Sequence, residues 1–366
     1  MPKKILTVVG TRPNIIKITQ FHRVAGRFPH LSHQLLHTGQ HYNRNMSEVF
    51  FDELHLPQPD FRIQAETTTV VTQMAQIMQG IETVLNEQKP DLVMVVGDVT
   101  STLAAALVAN KTNTPLAHVE SGLRSRDRTM PEETNRILTD AVADLFFVTE
   151  QSGVDNLLAE GKPAGSVHLV GNTMIDTLVA YDEPIQASTI LEKLSVKPRQ
   201  YALMTMHRPG NVDTEAGLQK LMEIIGELTK QTKIIFPIHP RTLKRLQEFG
   251  LHATAASNPN LVLTEPAGYL DFQKLILHAR YVVTDSGGIQ EETTFRKVPC
   301  LTLRPNTERP STLEMGSNTL LHFDKGGILA TVESINNGTY KDCRVPPLWD
   351  GHATERIFAV VDSYLK

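Results

Sequence analysis

The sequence predicts an α/β protein of two doubly wound halves, each a parallel sheet covered by helices on both faces. Three observations carry that expectation. Apolar runs of strand length recur without polar alternation, as strands buried on both faces do. Segments of helical period separate most of them, which is the βα rhythm of a parallel sheet. The rhythm breaks once and restarts, in a chain of 366 residues that is long enough for two domains.

In order, "ILTVVG" opens the first half as a buried strand, and "NIIKITQFHRVAGRF" follows at helical spacing. The apolar run from Ile5 to Val9 is too short for the hydrophobic region of a secretory signal, and "GTRPNIIK" offers no small-residue cleavage site. "LVMVVGD" leads to "TSTLAAALVANKT", "LAHVESG" to a longer polar loop, and "DLFFVTE" to "QSGVDNLLAEG". Around "DEPIQASTILEKLSVKPRQ" the chain turns polar and loses strand character. Beyond it come "YALMTMH", "KIIFPIHP", "LVLTE", "YVVTDS" and "VPCLTLR", again with helical segments between. The halves are expected to join near Gly171, giving domains 1–170 and 171–351. In "HATERIFAVVDSYL", Ile357, Phe358, Val360, Val361 and Leu365 fall at helical spacing, so 352–366 is read as a helix packing back on the first domain.

A hydrophobic share of 40% supports a sizeable core, and a net charge of -4 with interspersed signs gives no footprint for nucleic acid. The only cysteines, Cys300 and Cys343, make no disulfide framework and suit a reducing cytosol. No Cys/His spacing suggests zinc. No stretch approaches the ~18 apolar residues of a membrane helix, so a cytoplasmic protein without a membrane partner is expected.

Ligands of open parallel sheets bind beyond the carboxyl ends of the strands, and two such domains facing one another place those ends on a shared cleft. After the first strand, Gly10 permits a tight turn, and Arg12 and Lys17 sit where helical N–H groups favour an anion. Asp98 and Glu120 follow apolar strands, with Glu132, Glu133 and Arg136 further on. A lone carboxylate here reads as a cap, but several converging carboxylates make proton carriers. His207, Arg208, His239 and Arg241 end strands of the second half and suit an anionic part of a ligand. In "TDSGGIQEE", Gly287 and Gly288 allow close backbone approach, Ser286 and the helical N–H groups suit a phosphate, and "LTLRPNTERP" adds Arg304 and Arg309. Glu291 is read by default as complementing the helix dipole, and Glu292 either does the same or faces a sugar hydroxyl.

"GTRPNIIK", "GDVTST", "HVESGLRS", "MPEETNRILTD", "VGNTMIDTL", "HRPGN", "DSGGIQEE" and "NTERP", in this order, resemble the non-hydrolysing UDP-N-acetylglucosamine 2-epimerases. The resemblance implies a glycosyltransferase-B fold, two Rossmann-like domains binding a UDP-sugar, usually in a homodimer. It implies reversible conversion of UDP-GlcNAc to UDP-ManNAc, a precursor of surface polysaccharide. By motif, the UDP contacts are Arg12, Lys17, His207, Ser286, Gly287, Gly288, Glu292 and Arg309, with Glu292 on the ribose hydroxyls and Phe272 of "GYLDFQKL" beside the uracil. Asp98, Glu120, Glu132, Arg136 and His207 match positions around the reacting sugar. Elimination of UDP to a 2-acetamidoglucal and its re-addition needs carboxylates near C2 and cations on the diphosphate. No metal or other cofactor is expected if Arg12, Arg309 and His207 neutralise that charge.

The chain departs from the family pattern at Asn14, commonly glutamate, and at Val99, commonly threonine. "HTGQHYNRNMSEVFF" resembles a segment that in bacterial members helps bind a second UDP-GlcNAc as an allosteric activator; Gln40, His41 and Arg44 are its candidates here, and a plain surface loop is the alternative. The rival functions are the same chemistry on a UDP-2,3-diacetamido uronic acid, hydrolysis to free ManNAc, and a catalytically silent UDP-sugar-binding protein.

Overall fold

The computed structural model describes residues 2–40, 50–65 and 69–366. The chain divides into two compact units, Met1–Ala180 with Pro347–Lys366, and Tyr181–Pro346. The first is built on β1 (Lys3–Val9), β2 (Leu31–His37), β3 (Phe61–Arg62), β4 (Leu92–Val96), β5 (Leu116–Val119), β6 (Leu145–Val148) and β7 (Val167–Leu169). All pair in parallel, in the order β3-β2-β1-β4-β5-β6-β7. The second holds β8 (Tyr201–Thr205), β9 (Lys233–Pro237), β10 (Leu261–Thr264), β11 (Val282–Thr284), β12 (Cys300–Leu303) and β13 (Asn318–Leu321), in the order β10-β9-β8-β11-β12-β13. Both are Rossmann-like doubly wound sheets, and each reverses its winding beside its first strand, between β1 and β4 and between β8 and β11. Such switch points open the crevices where α/β sheets bind ligands.

The central strands form because their residues have no wet face: all five residues of β4, "LVMVV", are buried. Val93 and Val95 join Leu6 and Val8 in one core with Ala104, Ala105 and Val108 of the helix Thr100–Lys111 and Ile77 and Ile81 of the helix Val70–Gln88. Sequence patterning passed over β2, β3, β7 and β13. In β2, Ser32, His33 and Gln34 break the apolar run, although Leu35, Leu36 and His37 are buried. The long helical segment after β1 is two helices, Arg12–Lys17 and Phe21–Ala25.

The first unit extends past Gly171 because the helix Thr173–Ala180 docks on the helix Arg12–Lys17, with Thr177 Oγ1 donating to the Ile16 carbonyl at 2.5 Å. The chain rejoins this unit at Pro347. Gly171 has φ +88°, and an added Cβ would stand 2.0 Å from the Leu348 carbonyl oxygen, so only glycine fits that crossing. Trp349 Nε1 donates to the Thr149 carbonyl at 2.9 Å. The helix Ala353–Tyr364 then sets Phe358 edge-on to Phe21 at 5.6 Å, and Asp176 accepts from the N–H groups of Ala353 and Thr354 at 3.0 and 2.6 Å.

Candidate active site

In the first unit the chemistry gathers at the ends of β1, β4 and β5. Gly10 follows β1, and an added Cβ there would lie 2.1 Å from Ser101 Oγ, so the turn admits no side chain. Pro13 sits in the first turn of the next helix, whose last residue, Lys17, forms a buried ion pair with Glu120. Glu120, the first residue past β5, has φ +69°, a conformation costing a non-glycine residue about 1–3 kcal/mol. Its N–H and that of Ser121 both donate to the Phe147 carbonyl, at 2.9 and 3.2 Å, which pins the turn. Gly97, past β4, has φ +68°, and an added Cβ would come within 3.3 Å of Lys17 Nζ and 3.7 Å of Glu120 Oε2.

Asp98 is ion-paired with Arg136, whose other arm meets Glu133 Oε2 at 2.7 Å. Glu133 also accepts from the N–H groups of Ser125 and Arg126, both at 2.9 Å, which binds the loop after β5 to the helix Pro131–Val142. Arg136 and Glu133 are each 1% exposed while Asp98 keeps 20%, so the aspartate is the accessible end of this chain of charges. The side chain of Glu132, half-buried on the same helix, has no hydrogen-bond or ion-pair partner among the described residues. Arg12 stacks over the Phe50 ring, 4.3 Å from its centre. Gln40 Oε1 accepts from Ser101 N–H and Oγ at 2.9 and 2.7 Å; His41 and Arg44 lie outside the described residues.

In the second unit the organiser is Asp285, which sequence reasoning missed. It follows β11, is fully buried, and reaches across the switch point to the residues after β8. It accepts from His207 N–H at 3.0 Å, Arg208 N–H at 2.8 Å and Asn211 Nδ2 at 3.1 Å. Its Oδ1 stands 3.0 Å from His207 Nδ1, so Nε2 of this ring, 40% exposed, is left for a ligand. Burial raises the Asp285 carboxyl, but the His207 side chain and the two backbone N–H groups outweigh it and hold it below the ordinary carboxylate range. The only signal in the sequence was an aspartate between an apolar strand and a Ser-Gly-Gly turn. His239 lies 5.5 Å from His207, ring centre to ring centre, and burial and then that neighbour push its pKa down. Its Nδ1 caps the helix Pro240–Glu248 by accepting from Arg241 N–H at 3.1 Å, while Arg241 pairs with Asp213 on the surface.

Ser286 is the N-cap of the helix Gly287–Arg296, with Gly288 in its first turn. An added Cβ on Gly287 would lie 3.0 Å from an Arg309 guanidinium nitrogen and 3.1 Å from Glu308 Oε1. Arg309 pairs with Glu308 and, at 2.7 Å, with Glu291; Arg304 meets Glu308 at 3.1 Å. Burial pushes the Arg304 guanidinium's pKa down. The dipole expectation for Glu291 is therefore corrected: it lies beyond the first turn, is 1% exposed, and is a counter-ion of Arg309. Glu292 is nearly buried on the same helix. Phe272 is half-buried on the helix Tyr269–His278, against the core of Tyr201, Leu275 and Ile276. Among the described residues no group of His, Cys, Asp and Glu is arranged to hold a metal, and no helix is long and apolar enough to cross a membrane.

Comparison with known proteins gives one family. The family model described as UDP-N-acetylglucosamine 2-epimerase matches residues 25–362. A UDP-N-acetylglucosamine 2-epimerase of Methanocaldococcus jannaschii is 40% identical over 371 residues, covering 98% of each chain. The crystal structure of the Methanocaldococcus jannaschii UDP-GlcNAc 2-epimerase in complex with UDP-GlcNAc and UDP superposes with a TM-score of 0.90 at 39% identity, covering 99% of each chain. The UDP-2,3-diacetamido-2,3-dideoxy-D-glucuronate 2-epimerase of Pseudomonas aeruginosa is 34% identical over 342 residues, 93% of this chain and 94% of that one. The paired parallel sheets are those of the glycosyltransferase-B fold.

Proposed function

The chain belongs to the UDP-N-acetylglucosamine 2-epimerase family, and from that premise we propose that it interconverts UDP-GlcNAc and UDP-ManNAc by eliminating UDP to a 2-acetamidoglucal and adding it back. The observation that carries this reading is the division of labour between the switch points. Carboxylates with their own counter-ions ring one, while the other has a helix N-terminus, a histidine, and two arginines that Glu291 and Glu308 hold beside that N-terminus. That division suits a substrate whose sugar loses and regains a proton while its nucleotide end carries the charge of a leaving group.

No ketone acidifies C2 of this sugar, so its proton leaves as the C1–O bond to UDP breaks. Reprotonation on the other face inverts the centre before UDP returns. Asp98, Glu120 and Glu132 are the acid/base candidates. Glu132, without a partner among the described residues, is the one with lone pairs committed to nothing else. Asp98 and Glu120 are held in place by Arg136 and Lys17. His207, fixed by Asp285, presents Nε2 to the departing diphosphate. Ser286, Gly287 and Gly288 offer backbone N–H groups to it, as helix N-termini do. Arg12 and Arg309 add positive charge, Glu292 accepts from the ribose hydroxyls, and Phe272 borders the uracil. A homodimer in the cytoplasm, feeding surface polysaccharide and activated by a second UDP-GlcNAc near Gln40, completes the proposal.

Incubation with UDP-GlcNAc, followed by NMR, is expected to give UDP-ManNAc without free sugar. Free ManNAc, or no turnover, overturns the reading. The Pseudomonas relative supports a second reading, a diacetamido uronate substrate, and faster turnover of that UDP-sugar would establish it. Glu120→Gln and Glu132→Gln each lower kcat by about 10²-fold or more while UDP binding, measured by calorimetry, persists.

A further inference from the structure

Beneath the carboxylates of the first unit lies a buried polar chain to which the proposed chemistry gives no role. His118 on β5 and Asp140 on the helix Pro131–Val142 are both 0% exposed. The ring's Nδ1 stands 2.6 Å from Asp140 Oδ1, and its Nε2 stands 2.8 Å from the Gly97 carbonyl oxygen. The other Asp140 oxygen accepts from Gly122 N–H at 3.0 Å and meets Arg124 at 2.7 Å. Arg124 in turn grips Glu160 through two N–H groups, at 2.8 and 2.7 Å.

A carbonyl oxygen only accepts, and so does an ionised carboxylate. Burial raises the Asp140 carboxyl, but His118 and Arg124 outweigh that and hold it below the ordinary carboxylate range, which keeps it an acceptor. A neutral imidazole has a single N–H and satisfies only one of two acceptors, leaving lone pairs facing each other across the second short contact in a dry interior. With a proton on each nitrogen, both contacts become hydrogen bonds. Arg124 links this buried pair to Glu160, whose carboxylate is 41% exposed and faces solvent.

The geometry points to His118 as a doubly protonated imidazolium that ties the Gly97 turn to Asp140, and hence to a positioning residue for Asp98 and Glu120. Gly97 immediately precedes Asp98. Glu120, in its left-handed conformation, is bracketed by two anchors on one carboxylate, His118 two residues before it and Gly122 two residues after. The other charges around the Gly97 turn are the Lys17–Glu120 pair, which stands beside the place a Gly97 Cβ would take, and the Arg136–Asp98 pair. The catalytic consequence rests on the epimerase reading; the charge of the ring rests on its own contacts.

Selective 15N-histidine labelling of the intact protein, with His118→Gln to assign the ring, reads the proton count of the two nitrogens directly, and a proton on each is the expected result. In His118→Gln, kcat for epimerisation falls by about 10²-fold while KM changes by less than about twofold, because displaced groups lose rate rather than binding. A crystal structure of this variant is expected to show Glu120 outside the left-handed region. A wild-type ring with one bare nitrogen overturns the charge assignment, and an unmoved Glu120 or an undiminished kcat overturns the positioning role. A wild type inert toward UDP-GlcNAc defeats the epimerase reading alone, since ring state and Glu120 geometry are read without turnover.

Discussion

The amide of Asn14 faces two ways. Its Oδ1 accepts from Gly10 N–H at 3.2 Å, Thr11 N–H at 3.3 Å and Thr11 Oγ1 at 3.1 Å, and its Nδ2 donates to the Val96 carbonyl at 2.9 Å. One buried side chain thus closes the turn after β1 and ties it to the end of β4. A carboxylate serves the first task and fails the second, because it has no hydrogen to give Val96. Asn14→Asp is therefore expected to set a carboxylate against a carbonyl oxygen and to cost about 1–3 kcal/mol, the usual penalty for an unmet buried partner. Urea unfolding at neutral pH reads that loss, and an unchanged midpoint would remove Asn14 as the link between the two strand ends. The same logic explains why the departure from glutamate at this position is accommodated: this chain uses the amide N–H that glutamate lacks.

The helix Gly287–Arg296 shows how an element carries a site. Its first residue must be small because Arg309 and Glu308 crowd the position a Cβ would take, at 3.0 and 3.1 Å, and both are themselves ion-paired and buried. Gly287→Ala displaces those groups at the N-terminus where the diphosphate is proposed to sit, while the helix body and its core contacts remain. UDP affinity is expected to fall by about tenfold or more with little change in melting temperature; calorimetric titration with UDP checks it, and equal affinity would place the diphosphate elsewhere. This element was legible in the sequence, since glycines after an apolar strand signal a turn into a helix. The roles of its acids were not, because Glu291 finds its partner in Arg309, beyond β12. Asp285 and His118 escaped for a like reason: each is a strand-end residue whose partners come from other strands and helices, and spacing along one segment cannot reveal them. β2 stayed hidden for the opposite reason, since its half-exposed residues mask the apolar pattern that marks β4.

At the scale of the molecule, the buried charges set how the fold responds to acid. Asp140 has its carboxyl held below its ordinary value by His118 and Arg124 against the opposing effect of burial. A carboxyl depressed in the folded state contributes stability above its unfolded pKa, and that contribution is lost as pH falls through the folded one. The window therefore opens near pH 4, the ordinary carboxylate value, and extends downward. Within it the unfolded chain binds a proton that folded Asp140 refuses, and stability drops by about 1.4 kcal/mol per pH unit on this account. Asp176 pulls the other way, because burial raises its carboxyl despite the N–H groups of Ala353 and Thr354. The single tryptophan, Trp349, is buried in the same unit as Asp140, so its fluorescence reports that unit's unfolding. Asp140→Asn is expected to cost about 3–5 kcal/mol above the window, as breaking a buried ion pair does. Below pH ~4 its stability should fall less steeply than that of the wild type, by about 1.4 kcal/mol per unit. Urea titrations followed by Trp349 fluorescence across that range measure both slopes; parallel slopes would mean that the acid sensitivity of this unit comes from carboxylates other than Asp140.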